Sequence, residues 1–367
     1  TFSKSKNKAG DVLPLKRKKT KSLAIGLVIA DSPNHPIGRL FHQFVDLIQN
    51  ESKFRFLVFD FCEDRGSRKL PKSAEINFGY ESMLGKPISA AQKSIKNAPI
   101  DQLIDFTGPT ENGVIDLISE VIADIPCISY LGYPGTFGQP YSHIIANDFL
   151  IPPEKRPMYC ERVLSLDCYY QPFNQTIPQF KQQSGVARLG YLATTDKINP
   201  AYLELVDRIL EMLPDSTYTI SLPNSLSDQS EFETFIFRHI TNRGRVQFIP
   251  RVSYPEYLQK LASLDLFLDC YPYGSGATAS DCLKVGTPII SLVGEVYVAR
   301  MSASLNNHLG MADYLVANNR LTYVKKAINW LIQMRNPEFV GHVNNTIRQH
   351  HVHFHPARYV GEIKRVL

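Results

Sequence analysis

Several things are missing from this sequence. No apolar run approaches the roughly 20 residues that cross a bilayer; Leu23 to Ala30 is the size of a strand. No membrane span is therefore expected. No secretory leader is read either, and a chain whose first residue is Thr1, not Met, reads as a fragment or a processed chain, with room for an upstream domain. There is no C-x-x-C pair among Cys62, Cys127, Cys160, Cys168, Cys270 and Cys282. That spacing argues against a zinc ribbon or a redox dithiol and points to free, mostly buried thiols in a reducing, cytoplasmic setting. G-x-x-x-x-G-K-[ST] is absent, which excludes the usual triphosphate loop, and so is G-x-G-x-x-G, which leaves no dinucleotide fingerprint. No repeat of 20–50 residues is visible.

Net positive charge is confined to one place. The formal net charge of the 367 residues is +5, yet residues 1–22 alone carry eight Lys or Arg against one acid, so the remainder is about −2. Segment 1–21, with Lys16-Arg17-Lys18-Lys19, reads as a solvated tail or linker rather than a nucleic-acid patch. Hydrophobic content of 44% and charged content of 20% are those of a globular protein, and the length suits two domains.

The most informative stretch is Leu264 to Gly294. An apolar run, Leu264 to Leu268, ends at Asp269. Tyr271-Pro272-Tyr273-Gly274-Ser275-Gly276 then turns into a helix from Ala277, stopped by Gly286-Thr287-Pro288 before the strand residues Ile289, Ile290 and Leu292. A small-residue loop feeding a helix N-terminus offers unpaired amides and a positive dipole end. Hydroxyls at Ser275, Thr278 and Ser280 add donors, and a diphosphate suits such a site.

Strand and helix patterns alternate along the chain: strands at 23–30, 54–61, 100–106, 126–131 and 143–146, then at 186–192, 218–222, 246–249 and 264–268. Alternation of this kind builds parallel, doubly wound sheets. The expected organisation is a tail at 1–21, a first Rossmann-like domain at 22–170, a polar linker at 171–185, a second Rossmann-like domain at 186–350, and a C-terminal helix at 351–367. Two such domains imply a cleft. The loops 31–36, 107–110, 132–136, 193–197, 250–254 and 270–278 all fall at strand carboxyl ends, where such sheets bind ligands.

The run Leu131-Gly132-Tyr133-Pro134-Gly135-Thr136, followed by Ile145-Ala146 and Ile151-Pro152-Pro153, resembles the catalytic region of protein O-GlcNAc transferases and their SPINDLY-like relatives. Asn34-His35-Pro36, Asp196-Lys197-Ile198-Asn199-Pro200, Asp269 to Pro288, Gly294-Glu295 and Arg300 extend the resemblance over about residues 22–365. It implies a B-type glycosyltransferase fold, a UDP-sugar donor used as substrate with no cofactor or metal, inversion at the anomeric carbon, and a protein or peptide acceptor. The tetratricopeptide repeats that family members commonly carry upstream are not in this sequence.

Residue by residue, the resemblance implies that Lys197 contacts the donor diphosphate, Thr278 lies near the phosphates and Asp281 binds ribose hydroxyls. His35 matches a residue proposed as general base, with Asp31 and Asp101 as rival carboxylates; the catalytic set is His35, Lys197 and Asp101. Donor contacts are further expected from Gly132, Tyr133, Pro134, Gly135, Thr194, Val252, Tyr254, Tyr257, Tyr273, Gly274, Ser275, Gly276 and Ala277. Three departures stand out. Gly276-Ala277-Thr278 replaces His-Thr-Thr of the animal members, Tyr257 replaces a histidine that stacks on uracil, and Asp101 replaces a second histidine. The sugar is therefore left open among glucose, N-acetylglucosamine and fucose. A Ser or Thr hydroxyl is the favoured acceptor. An asparagine amide, a UDP-sugar epimerase and an inactive binding module are the alternatives. His350, His351, His353 and His355 crowd the C-terminus and read as structural or solvent-facing rather than as a metal site.

Overall fold

The computed structural model describes residues 22–63, 78–110, 113–121, 125–138 and 141–367; the basic segment 1–21 lies outside the described residues. The chain divides into two units. Of the described residues, the first takes in those up to Asp148, Pro152–Pro172 and Tyr359–Leu367, and the second Phe149–Ile151 and Phe173–Arg358.

In the first unit, the strands are β1 (Leu23–Ile29), β2 (Phe54–Asp60), β3 (Phe78–Ser82), β4 (Gln102–Asp105), β5 (Cys127–Ser129), β6 (His143–Asn147) and β7 (Arg162–Leu166). Helix α1 (Pro36–Ile48) follows β1, α2 (Ile88–Asn97) follows β3, and α3 (Ile115–Val121) follows β4. All strands pair in parallel in the order β3-β2-β1-β4-β5-β6-β7. The apolar face of α1, with Leu40, Phe41, Phe44, Val45 and Ile48 at helical spacing, packs on the sheet beside Phe106 and Tyr130. The rings of Phe41 and Phe106 meet edge to face at 5.1 Å.

The second unit runs β8 (Ala187–Tyr191), α4 (Pro200–Met212), β9 (Ser216–Ser221), α5 (Leu226–His239), β10 (Val246–Ile249), α6 (Tyr254–Ala262), β11 (Leu266–Leu268), α7 (Ala277–Val285) and β12 (Ile289–Leu292). It continues through α8 (Met301–His308), α9 (Ala312–Leu315), β13 (Val316–Ala317), α10 (Arg320–Gln333) and α11 (Pro337–His350). Its sheet order, β10-β9-β8-β11-β12-β13, is the same winding as the first six strands of the other sheet. The last helix, α12 (Pro356–Val366), sends Tyr359 and Ile363 into the core of the first unit, where the Tyr130 hydroxyl bonds both the Tyr359 hydroxyl and the Tyr170 carbonyl at 2.5 Å.

Elements that the sequence pattern leaves unread are the marginal ones. β3 has only two buried residues and β7 one, so neither carries the apolar run of a central strand. α11 buries Val343, Asn344 and Ile347 alone. The stretch 171–185 contains no helix or strand, yet it is no solvated tether. Phe173, Phe180 and Gln183 are buried, and Asn344 both accepts from the Phe180 amide at 2.8 Å and donates to its carbonyl at 3.0 Å. Asn344 supplies the partners that backbone without a ladder would otherwise lack.

Candidate active site

Both sheets reverse their winding once. β8 leads outward to β9 and β10, and the chain then returns to β11 on the other side, so the switch point lies between β8 and β11. A crevice forms there because the two connections leave in opposite directions, and it opens at the carboxyl ends of the strands. In this unit those ends carry the turn Thr195–Lys197 and the loop 270–276.

Lys197 ends a single 3₁₀ turn after β8. Its Nζ donates to the Gly274 carbonyl at 3.1 Å and lies 4.0 Å from the centre of the Tyr273 ring. Burial pulls its pKa below the usual lysine value, while Asp269 and Cys270 push it back up. Asn199 stitches the two loops together. Its side chain caps α4 by accepting from the Tyr202 amide at 3.1 Å and donates to the Tyr271 carbonyl at 2.7 Å. The Cys270 thiol lies 2.8 Å from the Lys197 carbonyl, and burial pushes it up to about 12, so it stays protonated. The Tyr271–Pro272 peptide is cis.

Asp269 holds the loop from beneath. Its carboxylate accepts from the Cys270 amide at 3.0 Å, the Ser275 amide at 3.0 Å and the Ser302 hydroxyl, and its carbonyl accepts from the Tyr323 hydroxyl at 2.9 Å. Burial raises its pKa against the pull of those bonds and of Lys197. Gly274 must be glycine: a Cβ there would sit 2.9 Å from the Asp269 carboxylate and 3.3 Å from the Val298 carbonyl. Ser275 is 1% exposed and gives its amide to Asp269, so it clamps the loop from inside.

α7 starts at Ala277 behind Gly276, with its first amides at the crevice. Asp281 is no solvent-facing helix acid: it is buried and accepts from the Tyr254 hydroxyl at 2.6 Å. Tyr254 and Tyr257 stack at 6.0 Å, and Lys284 Nζ lies 5.4 Å from the Tyr254 ring. Burial holds the Tyr257 phenol well above its usual value, against a hydrogen bond with Thr278. Thr194 and Val252 stand in the neighbouring loops after β8 and β10, and the Thr194 carbonyl accepts from Tyr191 at 3.2 Å.

The first unit has its own switch point, between β1 and β4. Asp31 follows β1 and is buried; its Oδ1 lies 3.0 Å from Nδ1 of His35, whose side chain is half exposed. The same Nδ1 lies 3.3 Å from the Ile37 amide and accepts from it only when unprotonated, so capping α1 and donating to Asp31 are alternatives. A buried carboxylate at this distance outbids a backbone amide, which favours a proton on Nδ1 and leaves Nε2 to accept. Asp105 ends β4 and accepts from the Tyr141 hydroxyl at 2.6 Å and the Thr107 amide at 3.0 Å. Burial raises its pKa.

Loop 131–136 stands at the end of β5. Gly132 passes so close to β4 that a Cβ would lie 2.0 Å from the Thr107 carbonyl, and Leu131 takes φ +70° to admit it. Pro134 is buried, while Tyr133 is exposed. Glu161, itself buried, fixes the far side: it accepts from the Thr136 hydroxyl at 2.6 Å and from the amides of Phe137 and Gly138 at 2.8 and 3.0 Å. Asp101 is a correction. It precedes β4, at the amino edge of the sheet, and its carboxylate accepts from the Ala24 amide at 2.8 Å. It ties β4 to β1 on the edge away from Asp31 and His35, and no catalytic role follows. Asn199, Asp269, Asp31 and Glu161 are the residues that sequence reasoning undervalued. The signals were present for two of them: Asn before Pro200 is a helix start, and Asp269 is an acid closing a buried strand.

Among the described residues no group of three or more His, Cys, Asp or Glu is placed to hold a metal, and no helix is long and apolar enough to cross a membrane. His350 gives its Nδ1 to the Thr346 carbonyl at 2.9 Å. All six cysteines are free, five of them buried and Cys160 exposed.

Two parallel sheets of the same winding, one with a cationic loop and a helix N-terminus at its switch point, define the B-type glycosyltransferase fold. The structure of a mutant of the Thermobaculum terrenum O-GlcNAc transferase is similar with a TM-score of 0.78 at 18% identity, over 96% of this chain and 68% of that one. Residues 191–361 match the model of Glycosyl transferase family 41. A curated relative from Arabidopsis thaliana, named "Probable UDP-N-acetylglucosamine--peptide N-acetylglucosaminyltransferase SPINDLY", is 25% identical over 245 residues, 64% of this chain and 27% of that protein. The UDP-glucose:protein N-beta-glucosyltransferase of Actinobacillus pleuropneumoniae is 22% identical over 218 residues, 56% of this chain and 34% of that one. The chain thus spans about a quarter to a third of the length of these relatives.

Proposed function

We propose that this protein transfers a sugar from a UDP-sugar to a protein side chain, with inversion and without a metal. The observation that carries the reading is the Lys197 ammonium, held 3.1 Å from the Gly274 carbonyl beside the start of α7. In the proposed step the acceptor oxygen bonds to the anomeric carbon as the bond from that carbon to the diphosphate oxygen breaks. The electron pair leaves with UDP. Lys197 and the first amides of α7 meet that growing charge, an effect that is strongest where water is excluded. The stacked Tyr254 and Tyr257, with Asp281, suit a base and a ribose. His35, its Nδ1 turned to Asp31, takes the acceptor proton on Nε2.

A Ser or Thr hydroxyl is the acceptor we favour, in keeping with the peptide transferase named among the relatives. An asparagine amide is the second reading, in keeping with the N-glucosyltransferase. Intact-mass measurement of candidate acceptors after incubation with UDP-glucose, UDP-N-acetylglucosamine and other nucleotide sugars tests both. A hexose or N-acetylhexosamine increment, mapped to its residue by fragmentation, identifies donor and acceptor. UDP binding with no increment on any acceptor would leave a binding module, and a donor epimer formed without acceptor would make the protein an epimerase.

A further inference from the structure

We infer that Tyr273 is a positioning residue that holds the Lys197 ammonium over its ring face, keeping it charged but not neutralised. The inference rests on the reading of Lys197 as the diphosphate-facing cation.

Three facts carry it. Nζ of Lys197 stands 4.0 Å from the Tyr273 ring centre, within range of a cation–π contact. The residue next to Tyr273 in the chain, Gly274, supplies the carbonyl that accepts one of the three ammonium protons. The lysine is largely desolvated, so its charged form needs compensation from the protein. A carboxylate in the place of the ring would compensate the charge too, but it would cancel the net positive potential that an anion needs. The ring quadrupole stabilises the cation while adding no net charge and no acceptor that competes for its remaining protons. Tyr273 and Gly274 together therefore fix the ammonium on two sides and leave it open to a diphosphate.

The other charged or titratable groups near Lys197 are Asp269 and Cys270, from the end of β11 and the residue after it, and Asp196 in its own turn. Asp269 spends its carboxylate on the Cys270 and Ser275 amides and the Ser302 hydroxyl. Cys270 is held protonated by burial. Neither replaces the ring.

The test uses the whole chain with Tyr273→Leu, Tyr273→Met, Tyr273→Phe and Lys197→Ala. UDP affinity is measured by calorimetry, and the Lys197 pKa by NMR of its side-chain Cε and Nζ. Removing the ring face destabilises the charged form, so Leu and Met lower the Lys197 pKa and weaken UDP binding by about 2- to 30-fold, the range of such contacts. Phe keeps the face and loses only the hydroxyl, so it recovers the Lys197 pKa and most of the affinity. Tyr273 is 43% exposed, so these changes leave the core intact. If Lys197→Ala weakens UDP binding while Leu and Met match the parent in pKa and affinity, the role of Tyr273 is overturned and the diphosphate reading stands. If Lys197→Ala leaves UDP affinity unchanged, both fall together.

Discussion

Nδ1 of His35 lies 3.0 Å from Oδ1 of Asp31, a carboxylate that is only 2% exposed. A buried acid beside a half-exposed imidazole orients the ring and selects its tautomer. The proposed base role makes this pair measurable. His35→Ala should cut turnover by roughly a hundredfold to ten-thousandfold, the span of general-base contributions, with little change in donor KM. Asp31→Asn should lower kcat as well, because an amide can present its NH₂ to Nδ1 and reverse the tautomer. Steady-state kinetics on both variants decides the matter; parent-like kcat in each removes the pair from the mechanism.

Lys197→Ala should reduce transfer by roughly a hundredfold or more, the effect of losing a transition-state contact of about 3 kcal/mol. Its melting temperature should stay near that of the parent, since the side chain is held by one carbonyl and one ring face and not by the apolar core. Lys197→Arg should restore part of the rate only, because a planar fork does not reproduce a point charge on the same carbonyl. Turnover and thermal melting of the two variants are the measurements, and normal turnover in Lys197→Ala would sink the diphosphate placement.

Asp105 gives a pH signature. Burial raises its folded-state pKa above the usual carboxylate value of about 3.9. The folded protein therefore takes up this proton first as pH falls. Its contribution to stability is complete below the unfolded pKa and is lost as pH rises through the folded one. Asp105→Asn does not titrate. The melting difference, parent minus variant, should thus shift in favour of the parent between neutral pH and about 4. A difference that is flat, or that moves the other way, contradicts a raised pKa.

Two glycines should answer alanine with opposite signs. At Gly132 the new Cβ would stand 2.0 Å from the Thr107 carbonyl, a backbone atom that cannot rotate away. Gly132→Ala should cost about 1–3 kcal/mol and disturb loop 131–136. Gly341, exposed within α11, has nothing within 4 Å of a Cβ, and alanine there should add about 0.5–1 kcal/mol by helix propensity. Denaturant unfolding of the two variants gives both numbers.

The winding of both sheets was legible because central strands such as Leu23–Ile29 and Leu266–Leu268 are buried on both faces and write themselves as unbroken apolar runs. Edge strands such as β7, and helices that bury few residues such as α11, leave no such mark. Lys197, Thr278 and Asp281 could be named as candidates from the sequence. What each bonds could not, because those partners come from far away in sequence. The Lys197 ammonium meets a carbonyl 77 residues on, and Asp281 a phenol 27 residues back. Asp101 misled for a related reason: a carboxylate at a strand end looks the same at either edge of a sheet, and only register tells the amino edge from the carboxyl edge.

The return of α12 to the first unit has a bearing on how the chain is made. Tyr359 and Ile363 complete a core begun by Ile25, Leu27 and Phe41, so more than three hundred residues separate the first and last parts of one hydrophobic cluster. During synthesis the amino-terminal sheet emerges first and would ordinarily fold as a unit. Here the apolar positions under α12 have no cover until the whole second sheet has left the ribosome. A chain shortened by its last nine residues, Tyr359–Leu367, would carry that exposed seam permanently.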